Sequence, residues 1–437
     1  MSETLNILVL HRLGDPRIWR ESMVEKELCL PKFAPEHHYL VHDFWLPLPQ
    51  YVNDISFDGI ILTQTFLGAR ADPGMRARML DTYAKLLSRD SFKIALPQDD
   101  YTCPKILDDW LTEWGVDISF PVCSNHWDIL YPRYSKVGRM KLGYTGYISE
   151  DLVNLTKSSK PIKDRDTHVA YRAANLSPVF GRLGQVKTEF GDRFLKASSG
   201  FSFKVDVSTR SQDTILGKKW YDFVQGTRCM LGVNSGSSLI DQDGAINKKV
   251  FLYLQKHPGA TFEEVEEACF PDQDGRYVFT AISPRNLECG LFRTAQILAT
   301  GTYGGFMEAE KDYISLEPDM SNFRQIAPMI ENHDTLQQMT DRCREKILSF
   351  NELRYSHHVA DLLNEIRTNT QVSDKQRLKS IPLIQRYQQE TEQIATSFWN
   401  KKRRISSIRS VLGNMGLRKI KYFMQEHFNP TSAPKTR

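Results

Sequence analysis

A chain of 437 residues, 41% hydrophobic and 25% charged, is too long for one ordinary core and predicts two domains, and its globular composition excludes a disordered or fibrous class. A net charge of +4 excludes a polyanion binder that is basic over its whole surface, and no run approaches the roughly 20 apolar residues of a membrane-spanning helix. The seven cysteines show no close pair of the kind that makes a zinc knuckle or redox motif, and the first residues lack the basic stretch of a signal peptide, so the expected compartment is the cytoplasm.

Short apolar, β-branched or aromatic runs at 6–11, 38–44, 59–65, 93–99, 116–124 and 141–148 read as strands. Between them, 75–88 carries Met79, Tyr83, Leu86 and Leu87 at helical spacing. Strands alternating with helices predict a mostly parallel sheet covered on both faces. The polar, proline-containing stretch 156–166 reads as a linker that closes an N-terminal domain over 1–157. The rhythm restarts with strands at 167–171, 203–207, 229–233, 277–282 and 296–298 and a helix at 184–197, which predicts a second domain over 158–375. Residues 376–437 read as a helical basic tail. The expected fold class is α/β, two Rossmann-like domains facing a cleft, with C-terminal helices. Open α/β sheets bind ligands at the carboxyl ends of their strands, so function is sought there. No Gly-x-Gly-x-x-Gly fingerprint follows the first strand, which argues against a dehydrogenase.

The most informative stretch runs from Ser283 to Glu288. Pro284 suits the first turn of a helix, Ser283 can cap it, and the free N–H groups of such a start attract phosphate. Arg285 adds a fixed charge able to grip a diphosphate, and Glu288, one turn later on the same face, can accept hydrogen bonds from ribose hydroxyls. Spacing alone leaves a second reading open, an i, i+3 ion pair on a solvated helix face. Ser235, Gly236, Ser237 and Ser238 either expose successive N–H groups to an anion as a nest or form a plain loop. Asp241 and Asp243 lack a third ligand and read as an Asx turn rather than a metal loop.

Taken in order, Tyr171-Arg172, the segments 191–194, 206–210 and 231–238, Ser283-Pro284-Arg285, Glu288, Arg293-Thr294, Tyr303-Gly304-Gly305 and 313–323 resemble the donor half of the group-one-like family of GT-B glycosyltransferases. The likeness covers most of 97–323. It implies a GT-B fold and transfer of a sugar from a nucleoside-diphosphate donor to a hydroxyl of a glycan or lipid-linked glycan, in bacterial surface polysaccharide synthesis. It implies donor contacts from Tyr171, Arg172, Ser235, Gly236, Ser237, Ser283, Pro284, Arg285 and Glu288. It also implies that basic side chains and helix starts stabilise the departing diphosphate, so neither a metal nor a cofactor beyond the sugar nucleotide is expected. The pattern departs at Asn234, where relatives often carry an acidic residue, and at Thr280, where the first of a pair of glutamates eight apart would stand. A retaining mechanism is therefore not carried over.

On the acceptor side, Pro97-Gln98-Asp99-Asp100-Tyr101 resembles a Gln-Asp-Glu/Asp-Tyr signature of the same family. Neighbouring side chains at a strand end alternate in direction, so only one of Asp99 and Asp100 readily faces the cleft. A carboxylate or histidine there would take the proton of the attacking hydroxyl, which makes Asp99, Asp100 and His11 the candidate bases. Their structural alternatives are helix capping ahead of Pro104 for the aspartates and a local hydrogen bond for His11. Residues 397–424 mix clustered Lys and Arg with Trp, Phe, Ile and Leu, a pattern that either lies on an anionic membrane or packs back across the first domain. No nucleic-acid recognition motif accompanies it, so no nucleic-acid partner is expected. The alternative function is a non-catalytic nucleotide- or carbohydrate-binding protein of spore or capsule assembly on the same fold.

Overall fold

Residues 4–18 and 21–414 are described by the computed structural model. The aliphatic runs of the first half form a six-stranded sheet of β1 (Asn6–His11), β2 (His38–Asp43), β3 (Gly59–Leu62), β4 (Phe92–Ala95), β5 (Ile118–Ser119) and β6 (Arg139–Met140). Their order is β2-β1-β3-β4-β5-β6, with every neighbouring pair parallel. Parallel pairing requires crossovers that cover both faces, and accordingly every residue of β1, β3 and β4 is buried. One crossover is the helix Pro73–Leu87, which Asp72 caps by accepting the Met75 N–H and which turns Met79, Tyr83, Leu86 and Leu87 into the core.

The second half forms β7 (Thr167–Arg172), β8 (Val205–Ser208), β9 (Thr227–Gly232), β10 (Ser235–Ser237), β11 (Phe279–Ala281), β12 (Ala295–Ala299) and β13 (Ile314–Leu316). Five of these make a parallel sheet in the order β13-β12-β9-β7-β8, while β10 and β11 pair antiparallel to each other. Strand order reverses between β1 and β3 in one sheet and between β7 and β9 in the other. These switch points leave a crevice beyond the strand ends.

Three expectations change. Residues 141–148 do not form a strand: pairing with β5 ends at Met140, Ile148 makes only an isolated bridge to Arg354, and the backbone between runs close to its neighbours, where a Cβ on Gly143 would lie 2.7 Å from the Phe120 carbonyl oxygen and one on Gly146 3.0 Å from the Pro284 ring. The stretch 156–166 is no loose linker, since its buried Arg165 donates to the carbonyls of Lys160, Thr227 and Phe292 and to the Thr294 hydroxyl. The chain also returns to the first domain before residue 375. At the crossing, the Ile148 N–H donates to the Leu353 carbonyl at 2.7 Å and the Tyr355 N–H to the Ile148 carbonyl at 3.0 Å. Beyond it, the helix Tyr355–Asn369 buries Tyr355, Val359, Leu362 and Ile366 with Leu5, Ile7 and Ile94 of the first domain.

The helix Asp374–Asn414 continues across that domain. Arg377 pairs with buried Asp58 at 2.8 Å, and the Tyr387 hydroxyl meets a His42 ring nitrogen at 2.6 Å. Trp399 is buried beside Gly14, the Lys402 ammonium lies 3.9 Å from the Trp45 ring centroid, and Arg403 pairs with Asp15 at 3.3 Å. These side chains of the basic tail therefore pack on the first domain; the part of 397–424 from 415 onward lies outside the described residues. Among the described residues no helix is long and apolar enough to cross a membrane.

Candidate functional site

The helix Pro284–Leu291 starts where proline and capping chemistry expect it. Ser283 is extended, Pro284 fills the first turn, and the Asn286 side chain reaches back to accept the Ser283 N–H at 3.2 Å. This start opens onto a cleft of about 600 Å³ at the carboxyl end of β7, lined by Arg172, Thr209, Gly217, Trp220, Arg285 and Glu288, with Glu21 and Ser22 reaching in from the first domain.

Arg285 and Glu288 do not form the i, i+3 ion pair. Arg285 donates to the Arg172 carbonyl, lies 5.8 Å from the Tyr171 ring centroid and 5.3 Å from that of Trp220, and leaves its buried Nε without a partner. A guanidinium stacked on rings and unmatched by a carboxylate keeps its charge for a ligand. Glu288 Oε2 instead accepts the Trp220 Nε1–H at 2.7 Å. Burial pushes the Glu288 carboxyl up, while Trp220 and Arg285 act against that rise.

A second pocket of about 350 Å³ adjoins the first, sharing Ser22 and Pro284, and lies between the domains. Its walls include Gln98, Asp99 and Tyr101 from one side and Lys187, Ser235 and Gly236 from the other. Asp99 is exposed here in a left-handed backbone conformation, φ 51°, and its Oδ1 accepts the Tyr101 hydroxyl at 3.0 Å. Arg70, buried below, holds that turn by donating to the carbonyls of Gln98, Asp99 and Thr102 at 2.9, 2.8 and 2.7 Å. Lys187 enters from the helix Gly181–Ser198. Loss of water, and then the proximity of Arg285, lower its ammonium to about 8, with Asp99 acting the other way.

Several residues named from the sequence sit elsewhere. Asp100 faces the interior: it is fully buried, its Oδ2 accepts the Val122 and Cys123 N–H groups at 3.1 Å each, and burial raises it to about 6. His11 lines neither cleft. Its Nδ1 accepts the Leu13 N–H at 3.2 Å, and burial lowers the imidazole to about 4. Tyr171 is fully buried and gives its hydroxyl to the Lys187 carbonyl at 2.8 Å, so it supports Arg285 from beneath rather than touching a ligand. Arg172 lines the cleft but spends its guanidinium on the Asp206 carboxylate at 2.8 Å and on backbone carbonyls.

The segment of Ser235, Gly236 and Ser237 is a strand and not a nest, with Gly236 opposite Thr280. A Cβ on Gly236, φ 145°, would fall 1.8 Å from the Phe279 carbonyl oxygen, and the buried Ser237 hydroxyl donates to the Leu239 carbonyl at 2.7 Å. Asp241 behaves as an Asx turn, accepting the N–H groups of Gly244, Ile246 and Asn247. Among the described residues, no group of three His, Cys, Asp or Glu could hold a metal ion. Lys187 and Trp220 were missed in the sequence. A lone lysine on a helix reads as solvated and a lone tryptophan as core, and no spacing marks either one.

No family model matches the chain, and no curated protein matches it in sequence. Among solved structures, an alpha-glucosyltransferase in complex with UDP and a 13-mer DNA containing a HMU base aligns with a TM-score of 0.51 at 8% identity, covering 84% of this chain and 100% of that one. A glycosyltransferase from Rickettsia africae aligns at TM-score 0.46 and 9% identity over 85% of this chain and 100% of that one. Anabaena HepE in complex with UDP aligns at 0.44 and 10% over 83% and 100%. At such identities a likeness speaks to the fold alone, and the first of the three carries it. This chain is a two-domain α/β protein with facing parallel sheets. It has the GT-B fold.

Proposed function

We propose that the protein is a glycosyltransferase that holds a nucleoside-diphosphate sugar at the start of the helix Pro284–Leu291 and passes the sugar to a hydroxyl bound in the adjoining interdomain pocket. The observation that carries this reading is Arg285: a cation in a cleft at a helix start, in no ion pair among the described residues, with a buried Nε that none of them partners. Such a donor set suits a diphosphate. Arg285, Lys187 and the N–H groups of the helix start stabilise the charge that develops on the leaving diphosphate, so no metal is needed for that task. Glu288 accepts from the ribose. Asp99, facing the pocket beside Lys187, takes the proton of the acceptor hydroxyl as that oxygen attacks the anomeric carbon. Its orientation favours turnover over a purely binding role.

The acceptor in this reading is a glycan or lipid-linked glycan of a bacterial surface polysaccharide, supported by the resemblance of the motifs. Nucleic acid is not part of it. The protein works on the cytoplasmic side, and the basic residues of 397–424 other than Lys402 and Arg403, which pack on the first domain, are the ones that the composition offers to an anionic membrane.

The test is thermal unfolding with UDP, GDP, ADP and CDP. A ligand bound only by the folded chain adds about 2.7 kcal/mol at a hundred times its Kd. One of the four is expected to raise Tm, and Arg285→Ala, which removes a charged donor, is expected to abolish that rise at the same concentration. A chain whose Tm responds to none of them is not a nucleotide-sugar enzyme.

A further inference from the structure

Trp220 stands on the helix Lys218–Gln225 and touches two charged side chains of the proposed donor cleft, Arg285 and Glu288. Its Nε1–H donates to Glu288 Oε2 at 2.7 Å, and the Arg285 guanidinium lies 5.3 Å from its ring centroid. One indole thus fixes a carboxylate through its edge and a cation through its face. We propose that Trp220 is a positioning residue that aims Glu288 at the ribose hydroxyls and so sets a preference for ribonucleoside over 2′-deoxyribonucleoside diphosphates.

The inference rests on the nucleotide placement proposed above. With Oε2 held by the indole, the carboxylate is less free to turn, and its other oxygen is left to accept from a ligand in the cleft that Glu288 lines. A fixed acceptor discriminates against an analogue that lacks the matching hydroxyl, because the half-buried carboxylate is then left short of a donor. A carboxylate free to rotate discriminates little. The Nε1–H also favours the ionised form of Glu288 against burial. The other titratable groups acting on or responding to Glu288 are Arg285 and Cys289 on its own helix, Tyr221 beside Trp220, and Glu25 on the helix Glu21–Glu27. Trp220→Phe leaves all four in place, so a change in pH profile reports Glu288.

The experiment is calorimetric titration of the full chain with whichever of UDP, GDP, ADP or CDP raises Tm, and with its 2′-deoxy counterpart. The wild type is expected to prefer the ribonucleotide by about tenfold or more. Trp220→Phe, which keeps a ring for Arg285, is expected to bring the two ligands within about twofold of each other and to move the acid limb of ribonucleotide binding to higher pH. Glu288→Ala, which removes the acceptor, should erase the preference by itself, and adding Trp220→Phe to it should erase nothing more. Trp220→Met serves if the phenylalanine variant does not fold. Discrimination that survives Trp220→Phe or Trp220→Met overturns the inference, as does a wild type that binds both ligands equally. Failure of the wild type to bind any of the four diphosphates overturns the donor site itself, a different result.

Discussion

The Tyr101 hydroxyl donates to Asp99 Oδ1 at 3.0 Å while the Asp99 backbone holds φ 51°, so both a hydrogen bond and a turn that side-chain-bearing residues rarely take set this carboxylate in the interdomain pocket. Strained backbone of this kind is kept where function needs the geometry. Asn tolerates the same conformation but is not a base. Asp99→Asn is therefore expected to lower sugar transfer by about 10²- to 10⁴-fold with diphosphate affinity within about twofold of wild type. Initial rates and calorimetry measure the two separately, and a variant that keeps a tenth of its turnover removes Asp99 from the role.

Lys187 gives up its proton near pH 8 in the free protein because it is drawn out of water next to Arg285. An anion in the cleft favours the charged form. Diphosphate affinity should accordingly fall as pH rises through about 8, with protons taken up on binding above that value. Lys187→Met is expected to flatten this dependence and to weaken binding about tenfold at neutral pH. Titrations in buffers of different ionisation enthalpy count the protons; an equally steep profile in the variant assigns the effect to another group.

Burial raises Asp100 to about 6, so the folded chain favours its protonated form. The stability that protonation contributes is complete below the unfolded pKa, near 4, and is lost as pH rises through about 6. Two units correspond to about 3 kcal/mol. Asp100→Asn should match the wild type near pH 4 and exceed it by up to that amount near pH 8, read by chemical denaturation at both. A variant less stable than the wild type near pH 8 would show that the two N–H bonds to the ionised carboxylate outweigh its burial.

Asp58 is fully buried and accepts from Arg377 Nε at 2.8 Å, the Thr370 hydroxyl at 2.7 Å and the Asn6 N–H at 2.8 Å. This joins the last helix to the first strand. Arg377→Leu leaves a buried carboxylate without its cation, and the expected loss is about 3–5 kcal/mol. Thermal and urea unfolding test it. A loss under about 1 kcal/mol would mean that the helix contributes little to the first domain.

Much of the frame was legible locally. β1 and β2 run over nearly the residues that apolar patterning indicates, and the helix at Pro284 follows from proline, serine and the polar turn around it. Elements set by distant neighbours were not legible. β13 is only three residues long, and residues 141–148 read as a strand although their pairing with β5 ends at Met140. The alternation of side chains told that one of Asp99 and Asp100 faces the cleft, and the direction came from the backbone hold of Arg70. Tyr171 shows the opposite failure: its motif placed it near a ligand, and packing turned its hydroxyl to the Lys187 carbonyl.

The amino-acid order by itself determined two α/β domains, the helix start at Ser283 and Pro284, and the acid–base chemistry of the side chains around it, because capping, periodicity and charge act over a few residues. Tertiary structure decided that Arg285 forms no ion pair among the described residues and leaves its Nε without a partner, that Glu288 answers to Trp220, that Lys187 shares a pocket with Asp99, and that the tail's Trp399 and Lys402 lie on the first domain. Each of these depends on groups far apart in the chain meeting out of water. Burial and through-space pairing then fix charge, direction and availability, and no local pattern carries that information.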